Sequence, residues 1–186
     1  SGDDVMITKG VKHTINLDSV VDVLAADSIP AIDNPKFISA AEADKFLGDE
    51  DVVIGLFING IARAYPQQIL VWHEIANDIV AGTPVAVTYC PLCDTGIAFK
   101  REIVVDGKTA TVTFGTSGKL YNNNLLMYDR KTKTLWNQLA GKAVVGELAG
   151  QKLKIVPVEV TTWARWKRLH PGTVALSRET GHIRPY

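Results

Sequence analysis

Two dipeptides, Asn59-Gly60 and Asp106-Gly107, constrain what this chain can fold into more than any other feature. Each interrupts an apolar or alternating run, "VVIGLFINGIARAYP" and "IAFKREIVVDGKTATVTFG". A two-residue hairpin turn needs positive φ at its central positions, which Asn-Gly and Asp-Gly supply at low steric cost. Both segments are therefore expected to be β-hairpins. More strand signals follow. "TPVAVTY" is a continuous β-branched run, read as a buried strand. "LLMYDRKTKTLWNQL" reads as strand, polar turn, strand, and "LKIVPVEV" and "GTVALS" as further strands.

Helical signals are short. Ser39 and Glu42 form a capping-box pattern ahead of residues 40–47, with Gly48 as the stop. Pro66 is placed to open a helix through "PQQILVWHEIAND", which is apolar at Ile69, Trp72 and Ile75. "TTWARWKRLHPG" reads as a helix capped by Thr161 or Thr162 and stopped at Pro171-Gly172. No regular strand–helix alternation occurs, which argues against a doubly wound parallel fold. Pro30 and Pro35 make residues 1–35 an irregular N-terminal arm. Residues 36–186 are expected to form a single α+β, β-rich domain. Its core is mostly antiparallel sheet, barrel-like, with three or four short helices.

The 186 residues carry 20 Lys+Arg and 20 Asp+Glu, so no basic excess supports a nucleic-acid partner. No apolar run reaches the roughly 18–20 residues of a membrane-spanning helix. The chain starts at Ser1-Gly2 rather than at methionine, which fits removal of a signal or anchor. Two cysteines are too few for a disulfide scaffold.

Both cysteines lie in "PVAVTYCPLCDTGIAF", as Cys90 and Cys93. Three chemistries are open for this Cys-x-x-Cys. A redox dithiol usually has a helix after its first cysteine to lower the thiol pKa. Here "DTGIAFKREIVV" continues as strand instead. A soft-metal site would use both thiolates for Cu or Zn and needs further ligands. His73 is the nearest in sequence, and Met127 is a thioether within an apolar strand pattern, where a core role is the simpler reading. A local disulfide or a pair of packed thiols is the third reading, and so short a loop would stabilise little.

"TFGTSGKLYNNN" has too few residues between Gly115 and Gly118-Lys119 for a phosphate-binding loop. No nucleotide cofactor is indicated. Gly118 follows Ser117 directly, so the segment is no nucleophile elbow either. The polar groups from Ser117 to Asn124 nevertheless make a candidate binding loop for a small molecule. Asp129 and Trp136 flank a tight turn nearby, although a buried Trp136 would be ordinary.

Five segments together resemble the bacterial and archaeal domain of unknown function numbered 3179. They are "AYPQQILVWHEIAND", "PVAVTYCPLCDTGIAF", "TFGTSGKLYNNNLLMYDRKTKTLWNQ", "TTWARWKRLHPGT" and "LSRETGH". The similarity runs from about Ile29 to the C-terminus. It implies a bacterial or archaeal source and an extracytoplasmic location, periplasmic or surface-tethered, and it implies no known reaction. The motif positions it marks are His73, Cys90, Cys93, Ser117, Asn124, Asp129 and Trp136. Asp94 stands where similar proteins often have Gly or Asn. The chain stops at "HIRPY", where similar proteins often continue into a further tail. The combined expectation is an extracytoplasmic domain centred on Cys90 and Cys93, with His73, binding Cu or Zn and served by a metal-delivery partner. The alternatives are a thiol–disulfide oxidoreductase in which Cys90 attacks and Cys93 resolves, and a small-molecule module at Ser117–Asn124, with Asp129 and Trp136 as further ligand contacts.

Overall fold

The structure, a computed structural model, describes residues 7–186. In chain order the first strands are β1 (Val20–Asp22), β2 (Phe37–Ser39), β3 (Val52–Ile58), β4 (Ile61–Pro66), β5 (Ile75–Val80) and β6 (Thr83–Cys90). Next come β7 (Thr95–Lys100), β8 (Glu102–Val105), β9 (Lys108–Thr111), β10 (Phe114–Tyr121) and β11 (Asn124–Asp129). The last are β12 (Leu135–Asn137), β13 (Lys142–Val145), β14 (Ile155–Val156), β15 (Val158–Thr162) and β16 (Val174–Leu176). Three short helices interrupt them: α1 (Ala40–Ala43), α2 (Gln67–Leu70) and α3 (Trp163–Leu169). A 3-10 turn precedes β1 at Leu17–Ser19.

The expected hairpins form. Asn59-Gly60 joins β3 to β4 and Asp106-Gly107 joins β8 to β9, with all four residues at positive φ. Ser39 and Glu42 close a reciprocal capping box on α1, and the Thr162 side chain caps α3 by accepting from Arg165 N–H. Two helices are shorter than expected. The one read over residues 40–47 ends at Ala43. The helix opened at Pro66 covers only one turn, and from Ile75 the chain is strand. Ala81-Gly82, both at positive φ, turns β5 back into β6. Six residues of β5 pair with β6, which outweighs the weak periodicity that suggested a longer helix.

The strands make three main sheets and one small hairpin. The first sheet runs β1-β10-β11-β12-β13, the second β14-β7-β6-β5 and the third β15-β3-β4-β16-β2. All pairs within them are antiparallel except β16 with β4. The β-rich α+β reading therefore holds, with open layers: no sheet among the described residues closes into a barrel.

The second sheet is the middle layer. Val85, Val87 and Tyr89 of β6 belong to a core shared with Ile54, Leu56 and Tyr65 of the third sheet. Ala86 and Cys90 of the same strand belong to a core shared with Phe114, Met127 and Trp136 of the first. Alternate side chains of one strand thus serve opposite faces, as the period of two demands. Buried polar groups in this layer are paired. The Arg101 guanidinium donates to the carbonyl oxygens of Asp78, Val85 and Val112. Asp78 accepts from Arg63 and Tyr65.

Close packing on the third sheet depends on Gly55. A Cβ there would stand 2.3 Å from the Trp166 ring, which α3 lays over β3. Gly55→Ala is expected to destabilise the protein by about 1–3 kcal/mol through overpacking, read as a lower urea midpoint. An unchanged midpoint would mean that α3 shifts freely on the sheet.

Candidate functional site

Strand β6 ends at Cys90, and Pro91–Asp94 turn the chain directly into β7. The turn is tied by the Cys93 N–H donating to the Cys90 carbonyl at 3.3 Å. Asp94 takes φ 45°, a left-handed conformation that Asp adopts more readily than most residues. No helix follows the pair, as the alternating sequence after Asp94 implies.

The two thiols are free and unequal. Cys90 is buried at 1% exposure, while Cys93 is exposed. Their sulfurs lie 2.8 Å apart and share a hydrogen bond. Burial and the neighbouring Cys93 sulfur push the Cys90 thiol up from its ordinary value. Burial also acts to raise Cys93, but hydrogen bonds from the Cys90 thiol, the Asn124 amide and Thr95 outweigh it, and the net direction is down. The Asn124 Nδ2 donates to Cys93 Sγ at 3.1 Å. Cys93 is therefore the thiol that ionises first.

Asn124 is held from both ends. Its Nδ2 also donates to Gln138 Oε1 at 2.8 Å, and its Oδ1 accepts from Leu139 N–H at 3.0 Å. Gln138 in turn donates to Thr88 Oγ1 and to the Thr95 carbonyl. These residues link the first sheet to the cysteine hairpin and fix the amide against the sulfur. On the opposite face of the hairpin, Tyr89 donates to Asp94 Oδ1 at 2.9 Å, and Gln67 donates to both. The loop between the cysteines is thus braced on two sides.

Beside it opens a cavity of about 300 Å³, lined by Leu24, Ile29, Val71, Glu74, Leu92 and Leu120 among others. Glu74 is half-buried at φ 59°, and its backbone carbonyl accepts from Tyr89 N–H at 2.7 Å. Burial raises its carboxyl from 4.5 to about 7. When ionised it acts on Cys93 and opposes the thiolate.

Of the residues marked in sequence, the structure brings Cys90, Cys93 and Asn124 together. It places the others in different roles. His73 is fully buried with both ring nitrogens engaged. Because a carbonyl only accepts, Nδ1 carries the proton and donates to Pro30 O at 2.7 Å, leaving Nε2 to accept from the Tyr186 hydroxyl. Burial lowers its pKa. Ser117 is buried, and its hydroxyl donates to the Leu126 carbonyl and accepts from Lys119 N–H across the irregularity in β10. Asp129 accepts from Trp136 Nε1 at 2.9 Å and from Thr132, closing the turn between β11 and β12. Trp136 and Met127 lie in the core between the first two sheets. No group of three or more His, Cys, Asp or Glu side chains able to hold an ion occurs among the described residues.

Sequence reasoning passed over Glu74 and Gln138. A charged residue in the unbroken run "ILVWHEIAND" was a weak signal for Glu74. Gln138 carried none, because its role depends on a pairing between strands remote in sequence.

Glu74 makes stability depend on pH. Its carboxyl is neutral in the folded protein up to about pH 7 but ionises near 4.5 when unfolded. The folded state then binds more protons between those values, so stability falls as pH rises through that window and stays lost above it. Glu74→Gln is expected to be more stable than wild type at pH 8, by about 1–2 kcal/mol for a half-buried group, and equal to it at pH 4. Thermal melts at the two pH values check this. A constant difference at both would remove the titration as its cause.

Neither the comparison with curated proteins nor that with solved structures finds a match. The family model described as "Protein of unknown function (DUF3179)" matches residues 26–186, which include the cysteine hairpin, Asn124, Glu74 and every strand of the three main sheets except β1. The chain belongs to this family of unknown function.

Proposed function

We propose that Cys90 and Cys93 form a thiol–disulfide exchange centre in which Cys93 attacks and Cys90 resolves. The observation that supports this is the asymmetry of the pair. Two sulfurs 2.8 Å apart need little movement to reach the roughly 2.05 Å of a disulfide. One is exposed with its thiolate favoured, and the other is buried with its thiol favoured. These roles reverse those of the oxidoreductase alternative read from the sequence, in which Cys90 attacks and Cys93 resolves. Asn124 supplies part of the thiolate stabilisation that a helix N-terminus provides in other dithiol sites.

The reaction balances with a disulfide RS–SR′ as the oxidant. The Cys93 thiolate attacks one sulfur, forms a mixed disulfide with RS and releases R′S⁻. The Cys90 thiol gives up its proton, its sulfur attacks Cys93 Sγ, and RS⁻ departs and takes a proton. The dithiol loses two electrons and the substrate disulfide gains them. An extracytoplasmic location, implied by the family resemblance, suits such chemistry, because disulfides persist in oxidising compartments.

A Cu or Zn centre would use the same two thiolates but would have to recruit the rest of its ligands from elsewhere, since His73 is engaged by Pro30 and Tyr186. Exchange therefore fits the geometry better.

The test is trapping. Wild-type protein mixed with a small disulfide is expected to lose both thiols and regain them on reduction. Cys90→Ser should stop at a stable mixed disulfide on Cys93, visible by mass spectrometry, while Cys93→Ser should react at least about tenfold more slowly. Faster modification of Cys93→Ser than of Cys90→Ser would reverse the assigned roles. One equivalent of Cu(I) or Zn(II) retained by the reduced protein, with disulfide reactivity abolished, would favour the metal role instead.

A further inference from the structure

The cavity beside the dithiol is built from four separate parts of the chain. Leu24 and Ala25 come from the segment after β1, Leu120 and Leu125 from β10 and β11, and Val71 and Glu74 from the connection between α2 and β5. Pro91 and Leu92, the two residues between the cysteines, complete it. Leu92 is 66% exposed, so the rim of the cavity and the exposed Cys93 are adjacent in one loop. An apolar cavity whose wall includes the residue next to an exposed nucleophile has the form of a substrate cleft.

Its charges select what can enter. Lys119 lines the cavity, but its ammonium is paired with Asp22. Glu74 makes no side-chain hydrogen bond with any described residue, so a carboxylate brought in beside it meets no compensating cation and, once Glu74 ionises above about pH 7, is repelled. An aliphatic or aromatic group meets the walls without that cost. A volume of about 300 Å³ suits one large side chain with its local backbone.

The adjoining strand favours an extended polypeptide over a free small molecule. Strand β1 is the edge of its sheet, paired with β10 alone among the described residues, and it runs directly into the cavity wall at Val23 and Leu24. Val21 and Val23 are both exposed there. A sheet edge offers unpaired N–H and carbonyl groups to a second extended chain.

Resting on the exchange reading above, we propose that the cleft receives the apolar side chain next to a cysteine in an extended polypeptide, presenting that cysteine's disulfide to Cys93. The exposed apolar residues that line the cavity, Leu24, Val71 and Leu92, are then recognition surface.

The experiment uses the reduced full chain and two peptides, each carrying one cysteine as a mixed disulfide with thionitrobenzoate. The peptides differ only in the residue beside the cysteine, Leu in one and Glu in the other. The Leu peptide is expected to react at least about tenfold faster, the discrimination one apolar group in a fitted pocket supplies. Leu24→Asp and Val71→Asp, from two different segments of the lining and outside the packed cores, are each expected to bring the ratio of the two rates towards one. Equal rates in wild type, or a ratio that neither replacement moves, would overturn the proposal. So would oxidised glutathione reacting faster than both peptides, since it would mark a charged small molecule as the natural partner. Failure of every disulfide to react would instead sink the exchange reading itself.

Discussion

Burial of β6 on both faces is the constraint on which the rest of the structure depends. A strand covered on one side can alternate apolar and polar residues, but one covered on both sides must satisfy two cores. Val85, Val87 and Tyr89 pack towards the third sheet while Ala86 and Cys90 pack towards the first. Thr88, fully buried, is the exception, and it is bonded to Gln138 and to the Ile97 carbonyl. The strand has no freedom to slip, because a shift by one residue would exchange the two sets of side chains. The cysteine hairpin at its end inherits that fixed register. Cys90 is aimed at the first sheet, where Asn124 stands, and Tyr89 is aimed the other way, where Gln67 and Asp94 hold it.

A dithiol without an activating helix needs its thiolate stabilised by other means. The first sheet provides it through a chain of side-chain amides, Gln138 to Asn124 to Cys93, each fixed by a further bond. Side-chain amides carry no charge, so the stabilisation is smaller than an ammonium or a helix N-terminus would give, and Glu74 opposes it once ionised. The two influences leave Cys93 lowered rather than strongly acidic, which keeps the thiolate nucleophilic.

Local signals made much of this fold legible. Asn59-Gly60, Asp106-Gly107, the Ser39/Glu42 box and the Thr162 cap all act within four residues, and all four form as read. "TPVAVTY" was legible because a short run rich in β-branched residues suits a buried strand. The segment after Pro66 was legible only in part: Ile69 is in the helix as its spacing implies, but the helix stops at Leu70 and Ile75 belongs to a strand paired with β6. At the site, the cysteines and Asn124 were visible as unusual residues. Their grouping was not, because Asn124 reaches Cys93 from a strand in another sheet. Ser117 and Asp129 looked alike as polar candidates, yet each is consumed by the turn or bulge it belongs to.

Several of the left-handed residues of the chain lie near the dithiol. Asp94 beside the cysteines, Asn122 and Asn123 in the turn before Asn124, and Glu74 at the cavity wall all take left-handed φ values. For Asp and Asn this costs little, and "NNN" is simply a hairpin turn followed by the amide that meets Cys93. Glu has no such tolerance, so its conformation must be imposed by its surroundings. The surroundings are specific: Glu74 is clamped between the His73–Ile75 backbone turn and the Tyr89 N–H that its carbonyl accepts. The same clamp holds the Glu74 side chain at the wall of the cavity, so the left-handed turn and the half-buried carboxyl are two consequences of one backbone arrangement.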